Sequence, residues 1–368
     1  MTSRSLRLAI RADSGTQIGT GHIRRSLALA KALRARGHAV TFISRVLEGR
    51  VPASGDLAGY DPVWLPAPER PVAPKADTPS HAVWAEVPWE RDAVETAAAL
   101  SQQPPDWLIL DHYAFDARWQ ERVRATLPRS VKLMVWDDLA DRRHGCDMLL
   151  DQNLGRRAED YDALLPEECD RLIGPRFAIL RPEFADLRAR SLARRAAYPG
   201  LRQLLVSMGG VDLPNTTSAV LRAVSEFAPP LERITVVMGS GAPALAQVRA
   251  LAAASAVPTD VVVDTPRMAE LMVAADLAIG ATGGTAWERC ALGLPALTIV
   301  LADNQAPAGA ALSAKGATLS LGRAGAPGLV GRLQAAFQEL AKGDALVEMG
   351  RRASEVTVTI ILSISGSR

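Results

Sequence analysis

The chain alternates short, continuous apolar runs with longer stretches of helical periodicity. In the first half the runs are Leu6–Ile10, Val40–Ile43, Trp107–Leu110, Lys132–Trp136 and Met148–Leu150. In the second they are Gln203–Ser207, Ile234–Met238, Val261–Val263, Leu277–Gly280 and Leu297–Leu301. Runs without polar alternation mark strands buried on both faces, as in a parallel sheet covered by helices. After the first run, Ile23, Leu27, Ala30 and Leu33 fall on one helical face, and Gly37 is expected to end that helix. The pattern predicts an α/β protein of two Rossmann-like halves, residues 1–190 and 191–354, with a tail over 355–368 that reads as an apolar strand. The stretch LARRAAYPGLRQ reads as the linker, and the proline- and tryptophan-rich segment Pro62–Pro88 as a long surface loop. Ligands of such sheets bind outside the carboxyl ends of the strands, so with the halves facing each other the expected site is the cleft between them.

At 368 residues there is enough chain for two full cores, and a net charge of +2 gives no electrostatic case for nucleic acid. Cys146, Cys169 and Cys290 are widely spaced and form no Cys-x-x-Cys pair, so neither a zinc site nor a disulfide framework is expected. That cysteine usage fits a reducing cytoplasm. The N-terminus runs directly into a strand, with no signal-peptide pattern. No apolar run reaches membrane-spanning length, so no membrane insertion is expected. A monomer is the default expectation.

Five clusters fall at predicted strand ends. The first holds Asp13, Ser14, Gly19, Gly21 and His22. Its glycines let a ligand approach the backbone, and the following helix would present free N–H groups. The spacing matches neither the dinucleotide fingerprint nor the P-loop. His22 could simply cap the helix, but beside two glycines at a strand end it is read as functional, and a histidine's unperturbed pKa of about 6.5 suits a general base. The second cluster is Asp111, His112 and Tyr113. The third includes Asp137 and Asp138, with Asp141 and Asp147 read as caps or turn acceptors and His144 left open between the two roles. The fourth is Gly209 and Gly210 followed by Asn215, Thr216 and Thr217, a second phosphate-type turn or an ordinary βα turn. The fifth runs through Thr282, Gly283, Gly284 and Thr285, whose amides and hydroxyls suit a diphosphate, to Asp303, Asn304 and Gln305. Glu288 there would either close a capping box or turn outward to a sugar diol. Asp137, Asp138 and Asp303 leave a metal site open, though their spacing does not indicate one.

Taken in order, RADSGTQIGTGHIRRSLALA, DHYAFD, DDLADRRHGCDMLLDQN, MGGVD, GGTAWERCALGLP and ADNQ resemble the UDP-sugar hydrolases of pseudaminic acid biosynthesis, relatives of the MurG-like glycosyltransferases of GT-B fold. The resemblance runs from Leu6 to Gly350 and departs in the tail, where some relatives carry an acetyltransferase domain for which this chain is too short. It implies a GT-B-like fold and hydrolysis of UDP-2,4-diacetamido-2,4,6-trideoxy-β-L-altrose at the anomeric carbon with inversion. It assigns His22 as general base, Tyr113 and Asn304 to the sugar and attacking water, Glu288 to the ribose, and Arg181 to a substrate contact. The backbone of Thr265 to Met268 would meet uracil, and Asp13, Gly19, Gly21, Gly209, Gly210, Gly283, Gly284, Thr285 and Gln305 complete the expected substrate-binding set. UDP is already a weak base, so no second acid, cofactor or metal is expected. The alternatives are a glycosyltransferase or UDP-hexosamine 2-epimerase of the same fold, or a non-catalytic nucleotide-sugar binding module.

Overall fold

The computed structural model describes residues 4–50, 57–69, 76–127, 131–198, 200–227, 230–342 and 344–357. The chain divides into two compact units, one up to Arg181 and the other from Pro182.

The first unit is a seven-stranded sheet in which every pairing is parallel. Its elements are β1 (Arg7–Ala12), α1 (Gly21–Ala35), β2 (Ala39–Arg45), β3 (Val63–Leu65), α2 (Trp89–Leu100), β4 (Trp107–Asp111), α3 (Ala117–Thr126), β5 (Lys132–Trp136), β6 (Met148–Asp151) and β7 (Asp170–Ile173). The strand order β3-β2-β1-β4-β5-β6-β7 reverses direction between β1 and β4. Adjacent strands there send their connections to opposite faces, which opens a crevice at their carboxyl ends. Ile23, Leu27, Ala30 and Leu33 of α1 pack on one face of the sheet, as their spacing predicts. On the other face α2 and α3 bring Ala93, Ala97, Trp119 and Val123.

A buried network of charges ties that second face together. Asp92 of α2 accepts from Arg11 Nη2 at 2.6 Å, Arg45 Nη2 at 2.7 Å and Trp119 Nε1 at 3.0 Å. Asp13 accepts from Arg11 Nη2 at 2.8 Å and from the Arg45 amide at 2.6 Å. All four charged side chains are fully buried. Buried charges persist only when each is paired and hydrogen-bonded, and that condition is met here.

The second unit is a six-stranded parallel sheet of order β10-β9-β8-β11-β12-β13. It comprises α4 (Pro182–Ala197), β8 (Gln203–Ser207), α5 (Thr216–Phe227), β9 (Arg233–Met238), α6 (Leu245–Ala253), β10 (Thr259–Val263), α7 (Met268–Ala274), β11 (Leu277–Ala281), α8 (Thr285–Ala291), β12 (Ala296–Val300), α9 (Ala306–Ala314), β13 (Leu319–Arg323), α10 (Leu329–Leu340) and α11 (Ala345–Val356). Its switch point lies between β8 and β11.

Three sequence readings change. LARRAAYPGLRQ is not a free linker. Its first half belongs to α4, where Ser191 donates to Leu292 O at 2.7 Å and Arg195 to Met272 O and Ala275 O at 2.8 Å each, so α4 belongs to the second unit. The Pro62–Pro88 segment holds β3 and a single-turn 3₁₀ helix, Ala82–Ala85, with Leu65, Ala85 and Val87 buried. In the tail, Glu355 and Val356 end α11 rather than starting a strand, and residues 358–368 lie outside the described residues. Among the described residues, no helix is long and apolar enough to cross a membrane.

Candidate active site

In the first unit the carboxyl ends of β1 and β4 bring His22 and Asp111 together. The chain leaves β1 through Asp13 and makes a closed loop in which Gly15 and Gly19 exchange backbone hydrogen bonds of 3.2 and 2.8 Å. Gly19 has φ +73°, a conformation that resists a side chain, and a Cβ there would meet nothing within 4 Å. Gly21 opens α1 and His22 follows it.

Asp111, the last residue of β4, is fully buried and receives three side chains of one helix. His22 Nδ1 lies 2.6 Å from Oδ1, Arg25 Nη2 donates to Oδ1 at 2.5 Å, and Ser26 Oγ donates to Oδ2 at 2.9 Å. Residues at i, i+3 and i+4 share a helix face, which is why 22, 25 and 26 converge. Burial alone would push the Asp111 carboxyl up. The Arg25 charge and the bonds from His22 and Arg25 outweigh it, and the group stays well below the ordinary carboxylate range. An ionised carboxylate only accepts, so in the neutral ring Nδ1 carries the proton and Nε2 keeps its lone pair. Nε2 makes no hydrogen bond to any described residue. The geometry answers which acid orients His22: it is Asp111. Asp13 is fully buried with both oxygens engaged by the protein, and it holds the strand end rather than facing a ligand.

Tyr113 packs its ring edge on His22 with centroids 4.5 Å apart, and its hydroxyl donates to Asp138, which also pairs with Arg25. Asp137 is occupied too: its Oδ2 accepts from the Ala140 amide at 2.8 Å and Tyr161 Oη at 2.9 Å, and Oδ1 lies 2.8 Å from Arg142 Nη1. These acids are therefore turn and ion-pair acceptors. Asp147 is neither a cap nor a local turn acceptor: it accepts from the Leu133 amide of β5 at 2.6 Å and pairs with Arg124. Among the described residues, no group of His, Cys, Asp and Glu is arranged to hold a metal ion. Arg181 is half-buried, the last residue before α4.

In the second unit the two glycine turns differ. After β8, Asp212 accepts from the Thr216 and Thr217 amides at 3.0 and 2.8 Å. Those two amides of the first turn of α5 are therefore taken by the protein's own carboxylate rather than left for a ligand, while Gly209, with φ +92°, and Gly210 lie ahead of them in the turn. The turn after β11 has no such carboxylate. Gly284 is exposed and Gly283 half-buried, and Thr282 Oγ1 donates to Gln305 O at 3.1 Å, so GATGGT and ADNQ meet. Asn304 and Gln305 are half-buried in a 3₁₀ turn, and Asp303 pairs with Arg323 at the surface. Glu288 sits half-buried in the first turn of α8, whose N-cap Gly284 has no side chain to close a capping box. Thr265 and Met268 lie before and at the start of α7, where Thr265 Oγ1 already accepts from the Arg267 amide at 3.0 Å.

Beneath the β11 turn lies a residue the sequence reading passed over. Arg289 is buried, donates to Ala281 O at 2.6 Å and Thr285 Oγ1 at 3.3 Å, and has no ion-pair partner among the described residues. Burial pulls its pKa down to about 10, so it remains charged at neutral pH. A Cβ on Gly280 would come within 2.7 Å of its Nη1, so only glycine leaves the guanidinium room. The signal was the arginine of WERC, four residues after Thr285 on a short helix.

No known family profile matches the chain. It is similar to the UDP-2,4-diacetamido-2,4,6-trideoxy-β-L-altropyranose hydrolase of Campylobacter jejuni, 26% identical over 247 residues, which is 67% of this chain and 74% of that protein. Among solved structures it resembles MurG of Acinetobacter baumannii, with a TM-score of 0.64, 15% identity and 96% of each chain covered. It also resembles Arabidopsis thaliana UGT89C1 complexed with UDP, with a TM-score of 0.61, 13% identity and coverage of 96% and 94%. The fold is thus that of the GT-B glycosyltransferases, two parallel α/β sheets with helices.

His144 takes the structural role. It is buried, and Gln120 Nε2 donates to its Nδ1 at 2.9 Å. Burial lowers its pKa from 6.5 to about 4, so the folded chain holds it neutral while the unfolded chain protonates it below 6.5. Its contribution is fully present above pH 6.5 and is lost as pH falls toward 4, on the order of 3 kcal/mol. In denaturant titrations from pH 7.5 to 4.5, His144→Gln, which keeps an acceptor for Gln120, is expected to flatten this part of the acid slope. An unchanged slope would show that His144 does not carry it.

Proposed function

We propose that the chain hydrolyses UDP-2,4-diacetamido-2,4,6-trideoxy-β-L-altrose by cleaving the anomeric C–O bond with inversion, releasing UDP and the free sugar. The observation that carries this reading is the His22–Asp111 pair, which leaves Nε2 with an open lone pair at a strand-switch crevice. The name and coverage of the C. jejuni relative support the substrate. In this reading His22 Nε2 takes the proton of water as its oxygen attacks C1. Asp111 stabilises the imidazolium that forms, as the acid of a catalytic triad does. The C1–O bond breaks and its electron pair leaves with UDP. The departing diphosphate needs its charge held rather than a proton, so one base suffices and no metal is required. Tyr113 and Asn304 are assigned to the sugar end, Glu288 to the ribose, and the Thr265–Met268 backbone to uracil. The Gly283–Thr285 turn over Arg289 is assigned to the diphosphate.

Turnover in ¹⁸O-water tests the reaction. The label should appear in the free sugar and not in UDP; labelled UDP would mean P–O cleavage and sink the mechanism. Transfer to an added acceptor alcohol in preference to water would favour a glycosyltransferase, and a C2 epimer still joined to UDP a 2-epimerase. UDP binding without any turnover would favour a binding module. His22→Asn should abolish turnover while leaving UDP affinity within about twofold, and near-normal kcat would remove His22 as the base. Arg289→Met deletes a buried cation that lacks a carboxylate partner. It is expected to hold or raise Tm while weakening UDP binding about tenfold by calorimetry. Unchanged affinity would take Arg289 out of the diphosphate assignment.

A further inference from the structure

The segment leading into α2 carries aromatic side chains to the base, and the mechanism so far gives them no task. Asp77 pairs with Arg118 at 2.7 Å, Ser80 Oγ donates to Asp141 at 3.3 Å, and Ala85 and Val87 are buried, so the segment is fixed at both ends. Between these anchors stand His81 and Trp84. The Trp84 ring lies 6.1 Å from His22 edge-on, 5.8 Å from Tyr113 in a tilted arrangement, and 4.5 Å from His81. His81 lies 5.7 Å from Tyr113. Trp84 is only half-buried, and its indole N–H makes no hydrogen bond to any described residue.

A base acting through water places the reacting carbon within about 6 Å of Nε2, two contacts of about 3 Å each. A sugar in that position reaches the rings that surround His22. Aromatic side chains bind by their apolar faces and direct a polar tip at one acceptor. An acetamido group matches both features, with a methyl for the ring faces and a carbonyl oxygen for the free indole N–H. We propose that Trp84, backed by His81 and Tyr113, is the subsite that reads an N-acetyl group of the sugar. This rests on the reading of His22 as the base.

The test uses steady-state hydrolysis of the diacetamido UDP-sugar, and of analogues lacking the acetyl group at N2 or at N4. The wild-type chain should discriminate against one analogue by about a hundredfold in kcat/KM, because a free indole donor and an apolar wall would both lose their partner. Trp84→Phe keeps a ring and loses the donor; it should cut kcat/KM for the full substrate about tenfold and shrink the discrimination. Trp84→Ala should cut it about a hundredfold, with inhibition by UDP and Tm unchanged. Both variants within twofold of wild type, with discrimination intact, overturn the subsite while the hydrolase reading stands. A variant that loses activity equally on all substrates makes Trp84 a packing residue and also overturns it. A wild-type chain that turns over none of them overturns the hydrolase reading, and the subsite with it.

Discussion

One carboxylate organises the first unit's candidate site. Asp111 ends a central, fully buried strand, so its backbone cannot shift without disturbing the sheet on both sides. Its two oxygens bind one face of α1 through His22, Arg25 and Ser26. These bonds set the roll of the helix, the orientation of the imidazole and the location of its proton together. Arg25 then extends the arrangement to Asp138 and Tyr113, stacking on Trp136 at 4.5 Å as it does so. A buried acid costs stability unless it is paired, and the same pairing orients the His22 imidazole.

The second unit's two glycine turns differ in the charge the protein places beside them. At the β8 turn the protein supplies its own anion, Asp212, to the helix that follows. At the β11 turn it supplies a cation, Arg289, and leaves that cation without a carboxylate. The first helix start has two of its amides met by that carboxylate, whereas beside the second the buried guanidinium has no ion-pair partner among the described residues.

Much of this was legible in the sequence, for physical reasons. Strands buried on both faces give unbroken apolar runs, so both parallel sheets were visible. The strands that were missed are all edge strands: β7 and β13 mix polar residues into their runs, and the three apolar residues of β3 lie between Pro62 and Pro66 in a segment whose prolines read as loop. His22 was visible because glycine, strand end and helix start coincide around it. Its partner was not, because Asp13 and Asp111 both follow strands and only the sheet order decides which one meets α1. Arg25 and Ser26 could have been found from their helical spacing to His22. The capping of α5 was hidden because Asp212 reads as an ordinary loop acid until its side chain is seen to turn onto the Thr216 and Thr217 amides. Trp84 was hidden in a segment whose prolines suggested a loop, and it is the buried Ala85 and Val87, the Asp77–Arg118 ion pair and the Ser80–Asp141 hydrogen bond that hold it beside His22.

Asp111 fixes the tautomer of His22, and ¹⁵N NMR of the imidazole reads that directly. In the ligand-free chain, at a pH where the ring is neutral, Nδ1 should show the shift of a protonated nitrogen and Nε2 that of an unprotonated one. A ring protonated at Nε2 would leave no lone pair toward water and would contradict the account.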